Sequence, residues 1–178
     1  FKQKTAYEIY QCNWSSDVGS SDLNAGNIIP PYGASKGGEE AAIEFAIDGL
    51  GVSNIVVCGH TQCGAMAALI GNVNIDSLPA VKSWLNHAAA TKKRLQQDKK
   101  ESCLKNAIEE NVLVQIDNLK THPSVSAALK AKLVKIYGWI YHFESGSVNI
   151  YDSQSSLFLS SSEIVNHLNQ DEIDRFCV

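Results

Sequence analysis

The sequence predicts an α/β fold in which a mostly parallel sheet is covered by helices. Three patterns carry this prediction: a helical period of apolar residues over 36–50, a short β-branched run at 54–59, and a second helical stretch directly after that run. The order helix, buried strand, helix is typical of parallel sheets, whose strands are connected by right-handed crossovers. The 178 residues match the length of a single domain, 1–178, with enough chain to bury a core.

Local patterns predict the other elements. Apolar residues at helical spacing indicate six helices, with approximate bounds 36–50, 61–70, 80–97, 104–121, 124–132 and 160–178. Gly51 is expected to end the first of these helices, and Pro123 to stop the fourth. An alternation of period two then predicts strands at 134–143 and 147–151, joined by a hairpin turn at 144–146. The C-terminal part of the sheet is therefore expected to contain an antiparallel hairpin.

The most informative motif is His60-Thr61-Gln62-Cys63-Gly64, which follows the β-branched run directly. His60 is expected at the tip of the strand. Cys63 is expected in the first turn of the next helix, where free backbone N–H groups and the helix dipole favour a thiolate. Zn²⁺ takes nitrogen and sulfur ligands in tetrahedral geometry, and a catalytic site keeps one position open for water. The motif therefore predicts half of a zinc site, whose third protein ligand comes from elsewhere.

Composition limits the classes of function. A net charge of −4 with scattered lysines gives no basic stripe, so nucleic acid is not expected as a partner. No apolar stretch approaches the roughly 20 residues of a membrane span, and the first residues lack the apolar core of a signal peptide. The five cysteines are odd in number and irregularly spaced, which favours a reducing compartment over a disulfide framework. We therefore expect a protein of the cytoplasm that does not bind membranes.

The order of motifs over residues 24–152 resembles the β-class carbonic anhydrases. The matching stretches are Asn24-Ala25-Gly26-Asn27-Ile28-Ile29-Pro30-Pro31, Gly37-Gly38-Glu39-Glu40-Ala41-Ala42-Ile43-Glu44-Phe45-Ala46, Val56-Val57-Cys58-Gly59-His60-Thr61-Gln62-Cys63-Gly64, Glu110-Asn111-Val112-Leu113 and Tyr137-Gly138-Trp139-Ile140-Tyr141. The resemblance implies a central, mostly parallel sheet flanked by helices and a homodimer or higher homo-oligomer. It also implies reversible hydration of carbon dioxide to bicarbonate at a zinc ion held by two cysteines and one histidine.

The resemblance assigns roles to four residues of the matching region. His60 and Cys63 correspond to two of the three zinc ligands. Gly64 is predicted to bind substrate beside them. Tyr32 is predicted to line the carbon dioxide pocket, with plain packing as the alternative.

The N-terminal stretch 1–23 departs from the family, whose first ligand lies in a Cys-x-Asp-x-Arg motif. Cys12 is the only cysteine upstream of the β-branched run 54–59, and aligning it to that ligand places Trp14 and Ser16 at the Asp and Arg positions. Sliding the register recovers a carboxylate in Asp17, but places Ser15 at the ligand position. We therefore predict Cys12 as the third ligand, with an exposed N-terminal cysteine as the alternative, and Asp17 as the candidate catalytic carboxylate. Missing residues, a deletion and a relative that has lost the Asp–Arg pair all fit this pattern.

Three functions are compared on these grounds. The first is zinc-dependent hydration of carbon dioxide, with weak activity expected without the Asp–Arg pair. The second is a catalytically impaired module of the same fold, retained for assembly or binding. A Rossmann-like nucleotide binder is the third, and the lack of a Gly-x-Gly-x-x-Gly run after the strand argues against it.

Overall fold

A computed structural model describes residues 23–34, 37–97, 102–165 and 175–178. Cys12, Asp17 and the rest of 1–22 lie outside the described residues. In chain order the elements are α1 (Gly38–Glu44), β1 (Asn54–His60), α2 (Gly64–Leu69), α3 (Pro79–Leu85), α4 (Ala89–Gln97), α5 (Leu104–Leu119), α6 (Pro123–Lys130), β2 (Lys135–Tyr141), β3 (Val148–Asp152), β4 (Leu157–Ser160) and α7 (Ser161–Val165). No helix in these ranges combines the length and apolar character needed to cross a bilayer.

The four strands form one sheet in the order β1-β2-β3-β4. β1 and β2 are parallel and run in step from Asn54 opposite Lys135 to His60 opposite Tyr141. β2, β3 and β4 then pair antiparallel. The predicted α/β class and the C-terminal hairpin are confirmed. The described sheet is mixed, with one parallel pair followed by two antiparallel pairs.

Helix α5 covers β1 and β2 and approaches them closely at two glycines. A Cβ on Gly59 would lie 2.9 Å from Val112 Cγ2, and a Cβ on Gly138 would lie 3.1 Å from both Val112 Cγ1 and Ile116 Cδ1. Both strands therefore lack a side chain where the helix crosses them. Val112 and Ile116 are fully buried there, as expected for the apolar face of a helix packed on a sheet.

Four helix bounds differ from the sequence prediction. The helix expected over 36–50 is α-helical only as α1 and continues as a π-helical stretch over Phe45–Gly49. The helix expected over 61–70 begins at Gly64, because Gln62 has a positive φ of 58° and cannot belong to a right-handed helix. The helix expected over 80–97 is interrupted by a 3₁₀ turn at Asn86–Ala88, although the apolar period continues through it and gives no signal of a break. The helix expected over 160–178 is observed only as α7, and 166–174 lie outside the described residues.

The C-terminal residues are fixed to the sheet through a buried ion pair. Asp152 has no exposed surface and accepts hydrogen bonds from Arg175 Nε at 2.9 Å and Nη2 at 2.5 Å, as well as from Ser155 Oγ at 2.7 Å. Beyond this pair, the Val178 backbone N–H donates to Ile136 O at 2.9 Å. The guanidinium of Arg175, assisted by the Ser155 hydroxyl, holds the pKa of Asp152 well below its usual range.

The Asp152→Asn substitution is expected to destabilise the protein at neutral pH by roughly 1.5–3 kcal/mol, because charge-assisted hydrogen bonds are lost. Since the folded-state pKa is depressed, the carboxylate stabilises the wild-type fold above its unfolded pKa of about 3.9, and this stabilisation is lost as the pH falls below it. Urea unfolding at pH 7 and pH 3.5 should therefore show a smaller acid-induced loss in the variant. Asp76→Asn is the control, because the Asp76–Lys82 pair is exposed and screened by solvent. If Asp152→Asn and Asp76→Asn lost the same amount of stability on acidification, the expectation would be contradicted.

Candidate metal centre

The site lies where β1 ends and α2 begins. His60 is the last residue of β1 and is partly buried, and Thr61 continues the pairing because its N–H donates to Tyr141 O at 2.9 Å. Cys63 is only 3% exposed and occupies the N-cap position of α2. The prediction placed Cys63 third in the helix, and this is wrong by three positions, because the turn Thr61–Gln62 separates the strand from the helix.

The side chains of His60 and Cys63 interact, and each shifts the pKa of the other. The interaction with Cys63 is the main reason that the pKa of His60 is raised above its ordinary value. Burial alone would raise the pKa of Cys63, but the interaction with His60 and the backbone N–H groups of Met66 and Ala65 together lower it. Cys63 therefore favours the thiolate form, although its side chain is buried. By contrast, burial raises the pKa of Cys58 in the same strand.

The second ring nitrogen of His60 is held by the backbone. His60 Nδ1 lies 2.8 Å from Thr61 O, and since a carbonyl oxygen only accepts, Nδ1 carries the proton. In the neutral ring the lone pair is then on Nε2, the arrangement in which histidine ligands bind metals while the other nitrogen donates to a carbonyl. The edge of the Phe143 ring also contacts the imidazole, with centroids 4.7 Å apart.

Two features fix the backbone around the pair. Gln62 adopts a left-handed conformation, which costs a non-glycine residue about 1–2 kcal/mol. The loop 24–30 lies between α2 and α5: a Cβ on Gly26 would lie 3.0 Å from Ala65, and Gly26 O accepts from Asn111 Nδ2 at 2.8 Å. Asn27 Nδ2 in that loop is buried and has no hydrogen-bond partner among the described residues.

The hairpin turn between β2 and β3 lies against the motif. Glu144 is exposed, and its pKa is lowered, first by a hydrogen bond from its own backbone N–H and then by bonds from Thr61 and Gln62. Sequence reasoning predicted this hairpin but assigned no role to Phe143 or Glu144. The sequence holds no signal for these roles, because only the observed register of β1 and β2, which end in step, places the hairpin turn beside the end of β1.

The structure brings some predicted site residues together and separates another. Gly64 follows Cys63 as the first residue of α2. Tyr32 is 54% exposed and lies beside His122, just past the C-terminal end of α5. A cavity of about 330 Å³ beside Gln62 is lined by Leu104 at the N-terminal end of that helix. Tyr32 is therefore not placed beside His60 in this chain, and its role in substrate binding stays a prediction.

The donor set fits a zinc ion in part. Imidazole nitrogen and thiolate sulfur are the ligand types of catalytic zinc, and His60 and Cys63 supply one of each from neighbouring positions. Among the described residues no group of three histidine, cysteine, aspartate or glutamate side chains is arranged to hold a metal. Cys12 as third ligand and Asp17 as catalytic carboxylate stay predictions.

Comparison with known proteins gives a consistent result. The family model described as Carbonic anhydrase matches residues 22–148. A carbonic anhydrase of Pseudomonas aeruginosa is 43% identical over 143 residues, which cover 79% of this chain and 65% of that protein. The solved structure of the β-carbonic anhydrase CcaA has a TM-score of 0.71 and 43% identity, covering 77% of this chain and 64% of that one.

A more distant structural relative shows the same fold. One of the tetrameric β-carbonic anhydrases of Sordaria macrospora has a TM-score of 0.60 and 23% identity, covering 71% of this chain and 64% of that one. This chain thus spans a little under two thirds of the length of each of these relatives.

Proposed function

Because this chain belongs to the β-carbonic anhydrase family, we propose that it catalyses the reversible hydration of carbon dioxide to bicarbonate and a proton. The observation that carries the proposal is the placement of His60 as the last residue of β1 and of Cys63 as the N-cap of α2, where each side chain shifts the pKa of the other. Over 143 aligned residues, this chain is 43% identical to the P. aeruginosa carbonic anhydrase, which supports the same chemistry.

The protein ligands in this proposal are Cys12, His60 and Cys63, with water in the fourth position. β1 is the outer strand of the sheet that the described residues form, and its C-terminal end carries His60. A strand added parallel to β1 would end at the same edge. The sequence of residues 6–10, which precede Cys12, can form a strand, and a parallel pairing with β1 would deliver this thiol to the ligand pair.

When bound, Zn²⁺ supplies Lewis-acid chemistry and lowers the pKa of water from 15.7 to about 7. The chain's own residues prepare the site for it. Thr61 O holds the Nδ1 proton of His60 and leaves Nε2 as the coordinating nitrogen. The N–H groups of Ala65 and Met66 help to lower the pKa of Cys63 and so favour its thiolate form. Gly64 is the proposed substrate contact, and Asp17 takes the place of the family's catalytic aspartate.

A catalytically impaired module of the same fold is the second candidate. The observation that favours it is the lack of a Cys-x-Asp-x-Arg motif in the sequence, together with a two-ligand site in the part of the chain that the structure describes. Such a module would keep the fold for assembly or binding.

Metal analysis and stopped-flow hydration of carbon dioxide on the 178-residue chain test the proposal. We expect about one zinc ion per chain and weak hydration above the buffer rate, lost on chelation and restored by added zinc. Zinc in the absence of any hydration would favour the impaired module. A zinc content near zero with no hydration would contradict the proposed function.

We also propose a homodimer or higher homo-oligomer. The Sordaria macrospora relatives are tetrameric, and Val56 on the outer strand β1 is 41% exposed, which an added strand or subunit would cover. The cytoplasmic location stays a prediction from cysteine usage.

A further inference from the structure

The spacing between the two ligands is set by the two residues that separate them. Thr61 and Gln62 form the turn that redirects the chain from β1 into α2, and Gln62 does so with a φ of 58°. Any change in this turn moves Cys63 relative to His60. The backbone conformation of Gln62 is unfavourable by itself, so contacts from outside the turn must maintain it.

Glu144 supplies such contacts with both of its carboxylate oxygens. Thr61 Oγ1 donates to Glu144 Oε2 at 2.8 Å, and Gln62 Nε2 donates to Glu144 Oε1 at 2.6 Å. Thr61 Oγ1 also accepts from the Phe143 backbone N–H at 3.1 Å. An exposed acidic residue more than 80 positions away thus binds both residues of the turn, through bonds that a negative charge strengthens.

We propose that Glu144 is a positioning residue, which holds Thr61 and Gln62 so that His60 and Cys63 keep the separation and orientation that a metal ion requires. This inference rests on the proposed function, because it takes the two residues to be metal ligands. Phe143, the residue before Glu144, contacts the imidazole ring directly. The hairpin turn therefore supports the ligand pair at two points, the turn between the ligands and the ring of one of them.

Metal affinity and cobalt spectra of Glu144→Ala test the inference. Zinc affinity is measured by chelator competition, and Co²⁺ is used as a spectroscopic probe of ligand geometry. We expect zinc affinity to fall about 10–100-fold, as is typical when the support of a ligand is removed. The cobalt–thiolate and d–d bands should shift or weaken as well. The zinc affinity of Glu144→Gln should lie between those of wild type and Glu144→Ala, because the amide oxygen of glutamine can still accept a hydrogen bond from Thr61.

Glu44→Ala is the matched control. It removes one exposed carboxylate from α1 and so changes the net charge equally, away from the motif. We expect its zinc affinity and cobalt spectrum to stay within twofold of wild type. Circular dichroism of each variant checks the fold. If Glu144→Ala is unfolded, the comparison of Glu144→Gln with wild type decides the matter by the same criteria.

A double-mutant cycle with Thr61→Val separates positioning through the turn from a general charge effect. If Glu144 acts through Thr61 and Gln62, Glu144→Ala should cost clearly less affinity in the Thr61→Val background than in wild type. Full additivity, or zinc affinity and cobalt bands unchanged in Glu144→Ala, would overturn the positioning role while leaving the proposed function intact. A wild-type chain that binds neither metal would overturn both.

Discussion

Replacement of Cys63 by serine is expected to remove bound zinc and to lower carbon dioxide hydration more than about 100-fold, beyond what loss of a ligand's supporting partner costs. A serine hydroxyl is not deprotonated near neutral pH and is a poor zinc ligand compared with a thiolate. Cys63 is 3% exposed, but its replacement by serine is nearly isosteric, so the fold should persist. Metal analysis and stopped-flow hydration, with circular dichroism as a check of the fold, measure the effect.

Cys177→Ser is the matched control for this prediction. Cys177 lies beside Val178, which bonds to Ile136 near the start of β2, whereas Cys63 lies past the far ends of β1 and β2. The control should keep wild-type zinc content and activity. Full zinc content in Cys63→Ser would show that Cys63 is not a ligand. Equal losses in both variants would point to a general loss of folded protein.

The closeness of His60 and Cys63 could be predicted from sequence because it depends on local geometry. His60 and Cys63 are three positions apart across a strand end, so any sharp turn brings them close. The exact turn was not predictable. Glycine and asparagine are the residues that signal a left-handed backbone, whereas Gln62 gives no such signal. As a result, the start of α2 was predicted three residues too early, and Cys63 was predicted inside the helix rather than at its N-cap.

The supporting residues could not be predicted because their contacts are long-range. An acidic residue in a hairpin turn is usually only solvated, and nothing near Glu144 in the sequence indicates that it meets Thr61. The same holds for β4, whose four residues, Leu157–Ser160, are too few for an alternation to stand out. The position of Tyr32 could not be predicted either. It lies beside His122 because the loop 24–30 is bound to α5 through long-range contacts.

The third ligand decides between the two candidate functions. Two protein ligands leave half of a tetrahedral shell to solvent, which fits weak or transient binding better than a catalytic site. A third ligand makes the site complete while leaving one position for water. Of the cysteines besides Cys63, only Cys12 precedes β1. Cys58 lies within β1, and burial raises the pKa of its thiol, which favours a packing role over a ligand role.

Cys12→Ser is therefore expected to reduce zinc affinity about 100-fold or more and to remove the weak hydration activity, because the shell loses one of three protein ligands. The chain outside 1–22 should stay folded, since the core centred on α5 and the sheet does not depend on this thiol. Zinc competition with a chelator and stopped-flow hydration measure the two effects. Cys177→Ser again provides the control.

The result for Cys12 separates the functions more sharply than the result for Cys63. Loss of zinc in both the Cys12 and Cys63 variants would establish a three-ligand site of the kind that catalytic zinc requires. If Cys12→Ser keeps wild-type zinc content while Cys63→Ser loses it, the metal is held without the N-terminal cysteine. The pair at the end of β1 would then be the remnant of a catalytic centre, and the impaired module would be the better description of this chain.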